Sequence, residues 1–536
     1  MIDFKIFISG LNRTKTYLLV GNAFLVFFVI ILNNTGILPM KNLGDFLFFS
    51  FITLIFALYR PGWAFVFFAG AIIFENINLA PPEIGINVRP YQFLGGITIL
   101  AVLIHSVLGR LNFKLVKFQW YDYFFILFVM AGFFSSIGAA ERGTALKISV
   151  ICATFVALYF LAKNYVQNFD DLKRIIPFFL SSSVIVVGYG IWQNIRFIHG
   201  SEPFEAMPGR PNATFAEADW LGIYLVFLSA AIYSIIYYLK YKPVEKQENG
   251  QDITKKKFKL YFSYIYLVLV FVLLIISVSR SAWLGMFFVT VIFLGIILTK
   301  LKFKTKDWQW KKFAQELILI FLIAIISLFL VYVFNLTNFK LFNRAQSTGT
   351  GLQKITISCA TKDAVLPKKI ETINELDKFN CRHIDLEDID REKMSGNIIR
   401  EIYRQDPNVN IRKKIYETSW KEIANHPLLG IGWGNIGQIL GKDERGTGFN
   451  SSNIFLEIWL GSGLFGLLAF SFILIYAIFL GIKRFYDDKF DNQILGLFII
   501  LGIISLIIPN FFNAGIFIGI LWLFFGTIFI INENRN

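Results

Sequence analysis

Residues 411–466 of the 536-residue chain read IRKKIYETSWKEIANHPLLGIGWGNIGQILGKDERGTGFNSSNIFLEIWLGSGLFG. The first part has the spacing of an amphipathic helix, with apolar residues roughly on one face. A glycine-rich turn and a polar loop follow, and the sequence then becomes continuously apolar. Nearly everything before Leu341 has the composition of membrane helices. We expect the chemistry of the protein where this polar segment meets the apolar bundle.

The composition identifies a membrane protein. Hydrophobic residues make up 55% of the chain and charged residues only 17%, against roughly 25% charged residues in soluble domains. Long apolar runs must be helical in lipid, because unpaired backbone groups are too costly there. The sequence therefore predicts an all-α, polytopic transmembrane helix bundle of about 12–14 spans. Fourteen candidate spans lie near residues 17–32, 45–59, 62–78, 91–108, 120–138, 145–162, 175–195, 218–239, 260–278, 282–299, 315–335, 453–480, 494–509 and 515–532.

The basic residues are distributed unevenly between the two sides of this bundle. Of 52 Lys and Arg residues, 27 fall in the short segments on the same side of the membrane as the N-terminus. Another 7 fall in the short segments on the opposite side, and 18 in the long loop 336–452. This excess follows the positive-inside rule, under which long loops translocate largely regardless of charge. We therefore expect cytoplasmic N- and C-termini and an extracytoplasmic long loop. The net charge of +15 is accounted for by topology and gives no reason to expect a nucleic-acid partner.

The chain divides into a transmembrane part at residues 1–335, a loop domain at 336–452, and C-terminal spans at 453–536. We expect the loop domain to be small and α-rich. Leu366–Phe379 and Asn397–Gln405 have helical patterns, whereas the short apolar run Ile355–Cys359 is compatible with a strand.

Two cysteines fall in the loop domain, on the side expected to be oxidising. We predict a disulfide between Cys359 and Cys381, which for a loop of this size contributes roughly 3 kcal/mol. The alternative is a zinc site that also uses His383, but it would have only three protein ligands at an unfamiliar spacing.

The loop before the eighth span carries a charged cluster. Gly209 and Pro211 predict an irregular turn around Arg210, and Glu217 and Asp219 follow at the start of the span. Carboxylates at a helix N-terminus are often capping groups. Two acids beside a fixed arginine are also compatible with an ion-binding constellation, and both readings stay open.

Arg280 is the only charged residue between Leu260 and Thr299. It therefore lies at or just inside the edge of the membrane, where a charge costs a few kcal/mol unless it is paired or reaches the interface. A snorkelling turn residue is one reading. The other is a cation directed into the bundle to hold an anionic head group.

These residues together resemble the O-antigen ligase and O-antigen polymerase superfamily. The segments GRPNATF, with Arg210, and SVSRSAWLG, with Arg280, resemble the two arginine-bearing segments of that family. The match in the opening stretch is carried by Arg412, Trp420, His426, Pro427, Gly430, Gly432, Asn453, Leu456, Glu457, Gly463 and Gly466. The three glycines of GIGWG lack the strand–turn–helix context of a dinucleotide site, so we expect them to permit close backbone packing.

The resemblance implies a membrane glycosyltransferase that ligates or polymerises glycans carried on undecaprenyl diphosphate, at the outer face of the bacterial cytoplasmic membrane. It implies a lipid or glycan acceptor, contact with membrane lipids, and neither a metal nor another cofactor. Arg210 and Arg280 would hold the donor diphosphate, because guanidinium groups bind phosphate oxygens bidentately and stay charged.

One position departs from the family pattern. Family ligases have a His just before the Asn-x-x-Leu-Glu segment, as a candidate base for the acceptor hydroxyl, and here that position is Ser452. A serine cannot act as a base near neutral pH without an activating partner. Either another residue takes the role, or the transition state is dissociative enough to need little help from a base, or this protein does not catalyse transfer. Glu217 and Asp219 are the best substitutes, while His426 belongs to a turn in which a structural role competes. The catalytic candidates are Glu217, Asp219, Ser452 and Glu457, and the substrate-binding candidates are Arg210, Arg280, Arg412, His426 and Asn453.

Two other classes of function compete with the enzyme. A transporter or flippase for a lipid-linked or amphiphilic substrate would carry charges and broken helices at mid-membrane, whereas here the polar signals cluster on one side. A catalytically degenerate scaffold of envelope polysaccharide assembly would explain the missing His. Measuring glycan transfer distinguishes both from an enzyme.

Overall fold

A computed structural model describes residues 12–111, 113–207, 209–243, 250–300, 305–339, 352–360, 366–371, 373–384, 389–405, 407–441 and 448–529. Among these described residues, eleven α-helices precede the long loop, and they are α1 (Asn12–Asn34), α2 (Leu43–Tyr59), α3 (Pro61–Ala71), α4 (Pro90–Val107), α5 (Asp122–Ile137), α6 (Arg142–Tyr165), α7 (Phe169–Ile198), α8 (Ala218–Tyr241), α9 (Gly250–Ile276), α10 (Arg280–Thr299) and α11 (Trp310–Val333). The later helices are α12 (Ile389–Met394), α13 (Pro407–Asn425), α14 (Ile436–Leu440), α15 (Ile454–Phe485), α16 (Phe490–Asn510) and α17 (Gly519–Ile528).

Each of the fourteen predicted spans has a helix in the structure. Within the described ranges, ten helices are long and apolar enough to cross a membrane, and four apolar helices are shorter, namely α2, α3, α5 and α17. This confirms the all-α, polytopic fold class. The long apolar runs have no other way to satisfy their backbone hydrogen bonds in lipid.

Helices α15, α16 and α8 pack closely within the bundle. Helix α16 packs against α8, α10 and α15, and α15 packs in turn against α5. Helix α8 is enclosed along most of its length, with side chains such as Leu221, Tyr224 and Leu228 fully buried. Small residues allow the close approaches. A Cβ atom at Gly285 of α10 would lie 2.6 Å from the ring of Pro509 in α16.

One end of the bundle, which we call the insert face, lies next to the long loop between α11 and α15. There the amide of Thr337 donates to the side chain of Asn194 at the end of α7 (3.0 Å). A buried ion pair joins Glu75 to Arg89 (2.7 Å), and Glu75 also accepts from the amide of Gly519 at the start of α17 (2.6 Å). These bonds fix helix ends at the insert face.

The long loop contains a small mixed sheet, which corrects the expectation of an α-rich loop domain and its two predicted helices. Its strands are β1 (Leu352–Cys359), β2 (Lys369–Ile370), β3 (Cys381–His383) and β4 (Ile398–Gln405), in the order β2-β4-β1-β3. Asn397–Gln405, predicted to be helical, is therefore mainly a strand, and Leu366–Phe379 forms β2 and a short 3₁₀ helix. Antiparallel pairing of β4 along the whole of β1 overrides the local pattern, and its isoleucines and tyrosine suit a strand.

The structure joins Cys359 and Cys381 by a disulfide. The two residues are directly opposite each other in the antiparallel pair β1–β3, and both are buried. His383 lies two residues further along β3, opposite Ile357. With both sulfur atoms bonded to each other, no thiolate remains for the zinc alternative.

The stability of this sheet is expected to fall as the pH is lowered, because it depends on an ionised Glu392. The buried carboxylate accepts hydrogen bonds from Ser358 (2.7 Å), Asn397 (2.8 Å) and Arg382 (2.5 Å). These donors, Ser358 foremost, hold the pKa of Glu392 below its ordinary value. A depressed pKa stabilises the fold above the unfolded value of about 4.3, and that contribution is lost as the pH falls through the folded value.

The check is the difference in thermal unfolding midpoint between the wild type and Glu392→Gln, measured from neutral to acidic pH. It should be largest at neutral pH and shrink in acid. Glu401→Gln is the control, because Glu401 pairs with Lys354 at an exposed position and such pairs contribute little. A difference for Glu392→Gln that did not change with pH would contradict the assignment.

Candidate functional site

Helix α15 is broken at Gly463, where the glycine-rich turn packs against it. The backbone of Gly463 has φ 69° and ψ −171°, which are not helical values. The next amide, of Leu464, donates to the carbonyls of Pro427 (3.2 Å) and Leu428 (3.1 Å) in the turn. A Cβ atom at residue 463 would lie 2.1 Å from the Leu428 oxygen. The turn thus replaces hydrogen bonds that the break removes from the helix.

The other glycines of the turn also serve packing. Gly430 has φ 71°, and a Cβ there would lie 2.4 Å from the carbonyl oxygen of Leu460, which accepts from the amide of Ile431 (2.8 Å). The buried indole of Trp433 fits against Gly132 of α5 and Gly461 of α15, where added Cβ atoms would lie 2.7 and 2.2 Å from it. These contacts account for the GIGWG pattern without a nucleotide.

Arg210 is held between the start of α8 and the turn that precedes α10. Its Nη2 pairs with Oδ1 of Asp219 (3.2 Å), its Nε donates to the carbonyl of Ser277 (3.3 Å), and its Nη1 lies 3.8 Å from the sulfur of Met207. The side chain is only 12% exposed. Asp219 is thus a partner of the arginine, and Glu217 occupies the N-cap position of α8 without a side-chain capping bond.

The turn before Arg280 is packed tightly against the start of α8. Val278 has φ 53°, and Arg280 is the first residue of α10. A Cβ atom at Gly222 of α8 would lie 2.6 Å from Ala282 and 3.0 Å from the hydroxyl of Ser279. The N-termini of α8 and α10 therefore meet, and their partial positive charges add to that of the arginines.

Asn453 ties the start of α15 to the same region. Its Oδ1 accepts from the amides of Phe455 (2.9 Å) and Leu456 (3.2 Å), which caps the helix, and its Nδ2 donates to the carbonyl of Phe511 (3.1 Å). Two residues later, Asn513 donates to the hydroxyl of Ser281 (2.9 Å). The segment between α16 and α17 thus links the Asn453 cap to the Arg280 turn.

Glu457 and Ser452 lie beside this cap. Oε2 of Glu457 accepts from the amide (2.9 Å) and the hydroxyl (2.8 Å) of Ser451, so the carboxylate holds the loop that leads into α15. Ser452 has φ 50°, its amide donates to Asn450, and its carbonyl accepts from Tyr416 (3.4 Å). Among the described residues, no side chain forms a hydrogen bond with the hydroxyl of Ser452.

The hydrogen bonds described above do not include the side chains of Arg412 and His426. Both belong to the α13 region, which packs on the first part of α15 through Ile423 and through an edge-to-face contact of Trp420 with Trp459 (5.8 Å). The imidazole of His426 is exposed, and its carbonyl accepts from Gly430 (2.9 Å) within the turn. The structure therefore brings together Arg210, Asp219, the Arg280 turn, Asn453, Ser452 and Glu457.

Three linking residues were not anticipated from the sequence. Ser277, Ser281 and Asn513 form the bonds that join the arginine segments to each other and to α15. Ser277 and Ser281 lie in the segment SVSRSAWLG quoted above, but nothing in the sequence gave them a linking role, and Asn513 is only one polar residue at the end of an apolar span.

Residues 265–471 match the family model described as O-antigen ligase. That part of the chain is therefore similar to an O-antigen ligase domain. The matched residues contain the Arg280 turn, the glycine-rich turn, Asn453 and the break at Gly463, whereas Arg210 and Asn513 lie outside them. The family resemblance is thereby confirmed, and the domain supports a membrane glycosyltransferase of the ligase or polymerase type. A search of curated proteins found no match to the sequence.

Proposed function

We propose that this protein ligates or polymerises glycans from an undecaprenyl-diphosphate-linked donor at the outer face of the bacterial cytoplasmic membrane. The observation that supports this most is the meeting of Arg210 and the Arg280 turn, on the insert face, with the capped N-terminus of α15. In this proposal the long loop is extracytoplasmic, both termini are cytoplasmic, and the acceptor is a lipid or a second glycan.

The proposed donor site is suited to a diphosphate held at a membrane surface. Arginine side chains stay charged and bind phosphate oxygens in a bidentate manner. Helices α8, α10 and α15 all begin at this point, and helix N-termini favour anions. Asp219 orients the guanidinium of Arg210 (3.2 Å), so that its remaining N–H groups can meet the phosphate oxygens.

The proposed reaction is a displacement at the anomeric carbon of the donor sugar. An acceptor hydroxyl attacks, the bond from carbon to the diphosphate oxygen breaks, and the diphosphate leaves with both electrons of that bond. Direct displacement inverts the configuration at the carbon. The arginines stabilise the negative charge that grows on the leaving diphosphate.

A carboxylate must accept the proton of the acceptor hydroxyl if the reaction uses a base. Asp219 is engaged with Arg210 through Oδ1, and Glu217 lies two residues earlier, at the N-cap position of α8. We propose Glu217 as the base and Asn453 and Glu457 as positioning residues. Ser452 does not take the place of the family His in this scheme.

The test is glycan transfer from a lipid-linked donor by the purified, reconstituted protein. Glu217→Gln should lower the rate by about 10²–10⁴, the usual contribution of general base catalysis. Ser452→Ala should retain most of the activity. A Glu217→Gln variant as active as the wild type would refute the assigned base, and a wild type without transfer activity would favour the scaffold alternative.

Asn453 gives a second test, because two substitutions separate its two roles. Asn453→Ala removes the cap, which typically costs about 1 kcal/mol, and also the bond to Phe511. Asn453→Asp keeps the capping oxygen, replaces the donor to Phe511 by a second oxygen and adds a negative charge. We expect both variants to lose transfer activity and only the alanine variant to lose thermal stability. Full activity of Asn453→Asp would show that the link to Phe511 is dispensable.

A further inference from the structure

A polar cavity of about 170 Å³ lies at the end of the bundle opposite the insert face. We call it the lysine pocket, and it is lined by Tyr237, Tyr241, Ile297, Lys300, Lys312, Phe490 and Gln493. Helices α8 and α10 end there, and α11 and α16 begin there. Three of these four helices, α8, α10 and α16, reach the candidate glycan site at their other ends.

Lys300 and Lys312 are the charged residues among those that line the pocket. Neither Lys300 nor Lys312 lies within ion-pair distance of a carboxylate among the described residues. Glu316, one turn after Lys312, instead pairs with Lys240 and accepts from the hydroxyl of Tyr241.

Two of the acids near the start of α16 are engaged elsewhere. Asp491 pairs with Lys173 (3.1 Å), and Asp487 accepts from the amide of Lys489 (2.9 Å). Because two helices end and two begin at the pocket, their dipoles largely offset each other. The two lysines are therefore the main source of positive charge in the pocket.

Lys300 also occupies a costly backbone conformation. It caps the C-terminus of α10 with φ 48° and ψ 34°, in the left-handed region that glycine usually supplies at such positions. A side chain in that region costs roughly 1–2 kcal/mol. The chain nevertheless carries a long cationic side chain at this position, at the edge of the pocket.

A second cavity, of about 130 Å³, lies beside the lysine pocket and is almost wholly apolar. Its walls include Ile176, Phe227, Tyr238, Phe498 and Phe524. The ring of Phe490 is at the boundary between the two cavities, with its centroid 6.3 Å from that of Tyr237 and 6.1 Å from that of Tyr238. A charged pocket next to an apolar one matches the two parts of a phospholipid.

We propose that the lysine pocket binds the phosphate of an anionic membrane phospholipid, with an acyl chain of that lipid in the apolar cavity. Basic pockets between membrane helices are a recurrent form of lipid head-group site. The bound lipid would hold together the ends of α8, α10 and α16, and hence stabilise the helices that carry the glycan site. This proposal is independent of the one for glycan transfer.

The test is the thermal unfolding midpoint of the detergent-solubilised full-length protein with added phosphatidylglycerol, phosphatidylcholine or inorganic phosphate. Phosphatidylglycerol should raise the midpoint by a few degrees, because a ligand that binds only the folded state stabilises it. The Lys300→Gln/Lys312→Gln variant should bind this lipid about 30-fold more weakly, since each basic residue contributes roughly a factor of five. Lys306→Gln/Lys311→Gln makes the same charge change at exposed positions outside the pocket and should behave like the wild type.

Three results would overturn the proposal. One is an equal rise with phosphatidylcholine, which would make the effect independent of the phospholipid's charge. Another is an unchanged response of the pocket variant. The third is an equal rise with inorganic phosphate alone, which would mean an anion site without a lipid. A further variant, Ala231→Phe, tests the apolar cavity. Its larger side chain narrows that cavity from the side of α8, so phosphatidylglycerol should raise the midpoint by less than in the wild type.

Discussion

Replacement of Arg280 by alanine is expected to abolish glycan transfer while leaving the protein inserted in the membrane. Arg280 begins α10 where that helix meets α8, and it follows the turn whose Ser277 carbonyl accepts from Arg210. Removing one charge-stabilising donor from such a site typically lowers the rate by about 10²–10³. Loss of a full guanidinium should reach or exceed that range. The measurement is transfer from a lipid-diphosphate-linked donor by the reconstituted protein.

Two control variants make this result specific. Arg280→Lys keeps the charge but not the bidentate fork, and should keep part of the activity. Arg142→Ala removes an exposed arginine at the start of α6, and should have no effect on transfer. Wild-type activity in Arg280→Ala would rule out its role at the diphosphate.

Gly463→Ala is expected to have the largest effect on the fold of the site. The combination of φ 69° and ψ −171° is one that essentially only glycine adopts, so alanine there costs about 1–3 kcal/mol in backbone strain alone. Its Cβ would also lie 2.1 Å from the Leu428 oxygen, a distance that forces the glycine-rich turn away from α15. We expect a lower thermal midpoint together with loss of transfer, because the turn holds the helix whose N-terminus Asn453 caps.

The control is Gly188→Ala in α7. A Cβ atom there would meet nothing within 4 Å, and alanine is favoured over glycine in a helix by up to about 1 kcal/mol. That variant should be at least as stable as the wild type and fully active. If Gly463→Ala were equally stable and active, the break in α15 would not matter to the site.

The sequence predicts the membrane helices of this fold well and the long loop between α11 and α15 less well. Span positions follow from the local apolar content, so each of the fourteen predicted spans contains a helix. The strand Ile398–Gln405 depends instead on pairing with Leu352–Cys359, more than forty residues earlier. Local spacing cannot report such a partner, and the segment was expected to be a helix for that reason.

The residues of the candidate site also differ in how far the sequence predicts them. Arg210 and Arg280 stand out in the sequence because charges are rare and costly beside apolar spans. Asn513 does not, because a single amide after a span has no distinctive signature, and its bond to Ser281 joins residues 232 positions apart. The glycines of the turn were expected to permit close packing, but only the structure shows that Gly430 packs beside the break at Gly463, whereas Gly432 and Gly434 pack against Ala145 and Thr144 of α6.

In the proposed function, the arginine turns at the starts of α8 and α10 hold the diphosphate of a lipid-linked donor. The most direct measurement is an electron cryomicroscopy structure of the full chain in lipid nanodiscs with undecaprenyl diphosphate. We predict density for the diphosphate within hydrogen-bonding distance of both Arg210 and Arg280, beside the Asn453 cap. Diphosphate density in contact with neither arginine, for instance against Arg412 and His426 or at the opposite face, would contradict the account.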